Sequence, residues 1–197
     1  LWLRLMLGGC RIRTNPRAVG VYRVHAAQMS RQAVRMRDAG LRTLDKLYAN
    51  PDLPSAVRRV KPRAYAKVHV DAAARALRAG MRDAARYDVE TALRIDPTLT
   101  DDGGGIVADM LAGWAHDFAT PDAARFLSDA EAIVPDVPGL RSSLRRARAE
   151  AHWRRAMELR ASGATRGVAR EAVSAVASRP RLLSNRGIRA LILRGFA

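Results

Sequence analysis

The chain has 197 residues, and 35 Lys and Arg against 19 Asp and Glu give a formal net charge of +16 at pH 7. Hydrophobic residues make up 48% of the chain and aromatic residues only 5%, which favours helices packed through small side chains over a β-sandwich. The charge is almost entirely arginine, since Lys46, Lys61 and Lys67 are the only lysines. No groove-reading motif accompanies it, so we interpret it as solvated helix surface and expect no nucleic-acid partner.

The single cysteine and the apolar runs bear on location. Cys10 cannot form an internal disulfide, which fits a reducing compartment. No apolar run approaches the roughly 20 residues that a membrane-spanning helix needs. Leu7-Gly8-Gly9-Cys10 has the form of a lipoprotein cleavage site, but Arg4 interrupts the short apolar region before it. We therefore expect a cytoplasmic protein, with a peripheral contact at the inner face of the membrane left open.

The first thirty residues predict one short helix and little else. Leu1 to Leu7 is apolar except for Arg4, Asn15-Pro16 predicts a turn, and Val19 to Val24 is rich in β-forming residues. Any β-structure is expected between residues 10 and 25. One helix and at most two strands cannot bury a core alone, so residues 1–31 are predicted to be the edge of a domain.

From residue 32 onward the apolar spacing predicts helices. Gln32 to Leu47, with Ser30 as its N-cap, and Ser55 to Val60 form a connecting region over residues 32–60, interrupted at Asn50-Pro51. The remaining residues, 61–197, are predicted to form a region of helical repeats.

Two parts of this region share one pattern 83 residues apart. Each has a helix, a glycine, a second helix and a proline, which predicts stacked helical hairpins. The predicted helices are Arg63 to Ala79 and Arg82 to Ile95 in the first copy, and His152 to Ala161 and Thr165 to Ala177 in the second. The paired positions are Gly80 and Gly163, Pro97 and Pro180, Ala73 and Ala156, and Ala92 and Ala175.

The segment between the copies predicts another pair of helices, Ile106 to Ala119 and Asp122 to Ile133. Asp101 to Gly105 lacks the alternating ligands of a calcium loop and is predicted to be a flexible acidic linker. Leu182 to Phe196 predicts a last helix that caps the stack. His69, His116 and His152 lie within predicted helices, without acidic or cysteine partners at ligand spacing, and are interpreted as structural.

The first hairpin resembles a tetratricopeptide repeat. Ala85, Val89, Ala92 and Pro97 stand at the spacing of that repeat, although His69 replaces its large aromatic residue. The resemblance implies a mainly α fold of stacked helical hairpins and a protein partner on the repeats.

The beginning of the chain resembles the C-terminal edge of the catalytic domain of family 2 glycosyltransferases, which have the GT-A fold. The matching segments are Leu1-Trp2-Leu3-Arg4-Leu5, Gly9-Cys10-Arg11-Ile12, Tyr22-Arg23-Val24-His25 and Met29-Ser30. Pro180 to Gly187 is similar to the end of family members that carry an appended helical region. The resemblance implies a small α/β remnant of a GT-A domain, followed by the helical repeats.

The same resemblance implies the roles of four residues. His25 would be a metal ligand, and Arg4, Tyr22 and Arg23 would belong to the substrate-binding site. Tyr22 or Arg23 would contact phosphate or shape the loop, and Arg4 would orient acidic or phosphate groups, with a solvated surface position as its alternative. The alternative for His25 is a partly buried loop histidine with a local hydrogen bond. The nucleotide-binding and catalytic-base segments of the family have no counterpart here, so no residue of this chain is assigned as catalytic. Mg²⁺ or Mn²⁺ is expected only in a complete parent enzyme.

Two hypotheses of function follow. In the first, the chain is the C-terminal fragment of a glycosyltransferase that moves a sugar from a nucleotide sugar to a glycan acceptor in cell-surface polysaccharide synthesis, and it is inactive alone. In the second, it is a free-standing helical-repeat module for protein–protein interaction.

Overall fold

The computed structural model describes residues 2–11, 32–117 and 120–195, and the single positions 13, 15, 17, 20, 21 and 28. Within these residues the chain is mainly helical and has no strand, and no helix is long and apolar enough to cross a membrane. The helices are α1 (Trp2–Leu7), α2 (Ala33–Tyr48), α3 (Ser55–Arg59), α4 (Lys61–Arg78), α5 (Arg82–Ile95), α6 (Gly105–Ala115), α7 (Ala123–Ile133), α8 (Leu140–Ala161), α9 (Thr165–Ser178) and α10 (Arg186–Gly195).

The two predicted hairpins are confirmed. Helix α4 turns into α5 at Gly80, and α8 turns into α9 at Gly163, with φ angles of 75° and 76°. This left-handed conformation costs glycine little, which is why glycine so often ends a helix. We call α4 with α5 the first copy and α8 with α9 the second copy.

Other boundaries differ from the prediction. Helix α8 begins at Leu140, twelve residues before the predicted start at His152, because its first three turns are rich in arginine and carry little apolar periodicity. A 3₁₀ helix, Pro180–Ser184, occupies the start of the predicted last helix, and α10 follows it. Ser30, the predicted N-cap, lies outside the described residues, and α2 begins at Ala33 after Gln32. Most of the expected β-region also lies outside them.

From α2 onward the helices pack mainly as pairs that are close in the chain, and these pairs contact one another. Helix α2 packs on α4, which also contacts α5 and α6; α8 lies between α7 and α9, and α10 covers α9. The contact between α4 and α5 uses alanines, and Ala66, Ala73 and Ala76 on α4 are fully buried against Ala85 and Ala92 on α5. Small side chains allow two helices to approach closely.

The predicted linker, Asp101 to Gly105, forms turns that lie against the start of α8. Gly103 and Gly104 have φ angles of 69° and 75° and pack against the residues that start α8. A Cβ atom added at Gly139 would lie 2.5 Å from the carbonyl oxygen of Gly103, and one added at Gly104 would lie 2.7 Å from Cβ of Leu140. The backbone contact between these glycines holds the start of α6 against the start of α8.

This contact predicts a specific loss of stability. Gly139→Ala places a methyl group where only hydrogen fits and also strains a positive φ angle, so we expect unfolding free energy to fall by about 3 kcal/mol. Gly163→Ala is the matched control, because it has a similar φ angle with no atom within 4 Å of the added Cβ, and it should cost about 1 kcal/mol. Urea unfolding followed by circular dichroism measures both values. Equal losses would contradict the glycine contact.

Candidate functional site

A histidine of α4 and a carboxylate of α5 form a buried pair in the first copy. His69 Nδ1 donates to Asp88 Oδ1 over 2.7 Å, and the two side chains are only 9% and 3% exposed. The contact joins the two helices of the hairpin across their alanine-lined interface. A carboxylate so deeply buried needs a charged or hydrogen-bonding partner to remain there, and His69 supplies one.

Helix α2 completes this pair with an arginine. Arg37 Nη1 lies 3.4 Å from the same oxygen of Asp88, and Arg37 Nε donates to Asp38 over 3.1 Å. Burial lowers the pKa of Arg37, but the charges of Asp88 and Asp38 outweigh that effect and raise the pKa above its ordinary value. Arg37, His69 and Asp88 therefore form a closed cluster; we call His69 with Asp88 the closed pair.

The second copy contains the equivalent pair, which is more exposed. His152 Nδ1 donates to Glu171 Oε2 over 2.7 Å, and both residues lie 83 positions after their counterparts in the first copy. The side chains of His152 and Glu171 are 19% and 18% exposed. We call them the open pair.

The difference in exposure follows from the helix that covers each pair. Helix α7 packs on α8 as α2 packs on α4, and a contact in the same place identifies the register. Tyr65 Oη donates to Asp45 over 2.7 Å, and Arg148, 83 residues after Tyr65, lies 2.9 Å from Glu131. Glu131 thus corresponds to Asp45, a shift of 86 residues.

The same shift of 86 residues places Ala123 at the position of Arg37. The alanine side chain is too short to reach Glu171. Within the described part of the chain, Glu171 has no arginine at ion-pair distance, whereas Asp88 has Arg37 at 3.4 Å.

A cleft of about 940 Å³ lies at this position. Ala123, Ala124 and Ser128 of α7 line one side, residues of α9 including Glu171 line the other, and α8 contributes His152 between them. Ala115, His116, Asp117, Thr120 and Pro121 also line the cleft. The open pair is part of the wall.

The lining of the cleft has one more positive than negative side chain. Its lining includes four arginines, Arg125, Arg148, Arg155 and Arg170, and three carboxylates, Asp117, Asp122 and Glu171. Arg148 pairs with Glu131 and Arg155 with Glu158. Within the described part of the chain, neither Arg125 nor Arg170 has a carboxylate at ion-pair distance.

A second histidine, His116, lines the same cleft at the end of α6. Burial lowers its pKa, and the nearby charge of Arg154 lowers it further, against smaller opposite effects of Glu150 and Glu158. His116 is therefore neutral at pH 7 and can donate or accept one hydrogen bond from each ring nitrogen according to its tautomer.

The structure bears on the predicted site residues only at Arg4, which lies exposed on α1. Tyr22, Arg23 and His25 lie outside the described residues, so their predicted roles stay predictions. Among the side chains that the structure describes, no three His, Cys, Asp or Glu come together in a way that could hold a metal ion.

The structure adds carboxylate partners to His69 and His152, which the sequence analysis interprets as structural histidines. Each has a carboxylate partner 19 residues later, on the next helix. Spacing within one helix could not reveal a contact across a turn, but the shift of 83 residues pairs His69 with His152 and Asp88 with Glu171. That coincidence was the signal available in the sequence.

Comparison with known proteins found no matching family model, and neither the curated proteins nor the solved structures contain a significant match to this chain.

The two pairs predict unequal losses on substitution. His69→Leu leaves Asp88 buried with only the longer contact to Arg37, so we expect unfolding free energy to fall by about 2–3 kcal/mol. His152→Leu leaves Glu171 where water can reach it, and the expected loss is under about 1 kcal/mol. Urea unfolding at pH 7 measures both. If His152→Leu is as destabilising as His69→Leu, the second pair is a structural contact like the first.

Proposed function

We propose that residues 61–197 form a tetratricopeptide-like stack that binds a segment of another protein in the cleft between α7 and α9. The observation that carries this proposal is the comparison of the two copies. Arg37 of α2 lies against the histidine–carboxylate pair of the first copy, whereas Ala123 of α7 stands at the corresponding position beside the second copy, where a cleft lies in front of the pair.

The chemistry of the lining favours a polymer segment over a small apolar ligand. Pockets for small molecules are lined mainly by hydrophobic and aromatic side chains. Here the apolar lining residues are alanines and one proline, and the others are charged, hydroxyl-bearing or imidazole side chains. Such a lining provides hydrogen bonds and ion pairs along the cleft and suits the backbone and polar side chains of an extended peptide.

The test is to fill the cleft with the side chain that the first copy uses. In Ala123→Arg, the arginine is expected to pair with Glu171 as Arg37 pairs with Asp88 and to occupy the space in front of the open pair. A displayed library of random peptides is selected on the wild-type chain, and the enriched peptides are measured on Ala123→Arg by fluorescence anisotropy. We expect a loss of affinity of about ten-fold or more.

Ala123→Ser is the control for this variant, since serine leaves the cleft open. It should bind the selected peptides as the wild type does, and thermal unfolding should show that both variants are folded. If no enriched peptide distinguishes Ala123→Arg from wild type, the cleft is not a peptide-binding site.

We propose, as a second function, that this stack is appended to the end of a family 2 glycosyltransferase, of which residues 1–31 are the last part of the catalytic domain. One structural observation supports it: α1 exposes apolar side chains, with Leu3 39%, Met6 58% and Leu7 37% exposed. Such a cluster on a short helix suits contact with another surface. The parent would use a nucleotide sugar, a glycan acceptor and Mg²⁺ or Mn²⁺, and would act at the cytoplasmic side of the membrane.

This second proposal predicts activity only in a longer protein. The present chain should transfer no sugar, and the full-length parent should release nucleoside diphosphate from a nucleotide sugar in the presence of acceptor. In that parent, His25→Ala should lower kcat by about ten-fold or more. His116→Ala, a change in the cleft between α7 and α9, should leave kcat unchanged. Equal rates in the two variants would remove the role assigned to His25.

A further inference from the structure

We infer that the partner segment is acidic, and that its carboxylates bind Arg125 on α7 and Arg170 on α9, which line the cleft together with the open pair. This inference rests on the proposed function, because it specifies the chemistry of the peptide that the cleft takes. It specifies the charge of the peptide and the residues that bind it.

The charged side chains that line the cleft differ in whether they already have a partner. The carboxylates of the lining are already engaged: Asp117 pairs with Arg78 at 3.2 Å, Glu171 accepts from His152, and Asp122 accepts from the backbone N–H of Arg125. The guanidinium groups of Arg125 and Arg170 have no such partner within the described residues. A carboxylate that enters the cleft therefore meets two arginines that can receive it without breaking an existing ion pair.

His152 also lines the cleft, and one of its ring nitrogens is not used in the open pair. Glu171 fixes Nδ1 of His152 as a hydrogen-bond donor, which leaves Nε2 as the ring atom for a ligand. No hydrogen bond to this atom occurs within the part of the chain that the structure describes. With the proton on Nδ1, Nε2 is an acceptor, so it can receive a backbone N–H of the bound segment.

A basic segment is the first competing occupant, because one of its cations could contact Glu171 as Arg37 of α2 contacts Asp88. Arg148, Arg155 and Arg170 share the cleft with Glu171, and none of them pairs with it. An added cation would be repelled by these arginines, and the three carboxylates of the lining already accept hydrogen bonds or ion pairs from Arg78, His152 and the backbone N–H of Arg125. The charge balance disfavours it.

Single-stranded RNA, a second competitor, is also anionic. Its recognition depends on aromatic side chains on which bases stack. The lining of this cleft contains no Phe, Tyr or Trp among the described residues. An acidic peptide needs only the charges and hydrogen bonds that the cleft provides.

The experiment compares four fluorescent probes of equal length with the wild-type chain: a glutamate-rich peptide, its glutamine and lysine counterparts, and single-stranded RNA. Fluorescence anisotropy at low and at physiological salt measures the dissociation constants. We expect the glutamate-rich peptide to bind more tightly than the glutamine peptide by about ten-fold or more, and we expect its affinity to fall as the salt concentration rises. The lysine peptide should not bind.

The variants separate recognition in the cleft from general attraction to a basic protein. Arg170→Glu and Arg125→Glu should each weaken the glutamate-rich peptide by about ten-fold. Arg59→Glu changes the charge by the same amount on α3, outside the cleft, and should have little effect. Ala123→Arg should also weaken binding although it adds positive charge, because it closes the cleft.

The outcomes distinguish this inference from the proposed function. If library-selected peptides are neutral or basic and still lose affinity on Ala123→Arg, the cleft binds peptides but the acidic specificity is wrong. If Arg59→Glu weakens the glutamate-rich peptide as much as Arg170→Glu does, the attraction is general and the inference is overturned. RNA that outcompetes the peptide, or a wild-type dimer that Ala123→Arg converts to a monomer on gel filtration, would assign the cleft to another occupant and overturn it too.

Discussion

The close approach of α4 and α5 through alanine is the contact on which the rest of the structure depends. Ala73, Ala76 and Ala92 are fully buried, and methyl groups at a helix contact bring the two axes nearer than larger side chains would. At this separation a histidine of one helix reaches a carboxylate of the next. The second copy repeats the arrangement with Ala156 and Ala175, which are also fully buried. The polar pair in each copy thus follows from small apolar residues around it.

The two copies show what a single covering residue can change. Both retain the histidine–carboxylate contact at 2.7 Å, and both retain a side-chain contact between the covering helix and the hairpin. The covering helices differ at one corresponding position, which is Arg37 in α2 and Ala123 in α7. A long cation encloses a buried carboxylate, whereas a methyl group leaves the equivalent carboxylate at the wall of a cleft. A carboxylate exposed at the wall of a cleft can contribute to a binding surface without any change in the core.

The sequence predicted the features that depend on local signals. Gly80 and Gly163 end helices because of their backbone conformation, and the prolines that follow the hairpins limit them in the same local way. The contact of Gly103 with Gly139 was missed because it joins residues far apart in the chain, and a run of aspartates and glycines has the composition of a linker. The histidine pairs were missed because their partners lie across a turn. The cleft could not be predicted at all, since it depends on the register of α7 on α8.

Net charge by itself said little about function, because the structure gives the arginines different surroundings. Arg75 and Arg78 lie over the ring of Trp114, at 4.5 and 5.3 Å from its centroid, and burial lowers the pKa of Arg75. These arginines take part in the contact between α4 and α6 and are not available to a partner. Arg125 and Arg170 belong to a concave surface instead, where walls of low dielectric concentrate the field of a charge. Arginine therefore holds helices together at Trp114, whereas in the cleft Arg125 and Arg170 have no carboxylate partner among the described residues. The cleft lies beside Ala123, the residue of α7 that corresponds to Arg37 of α2.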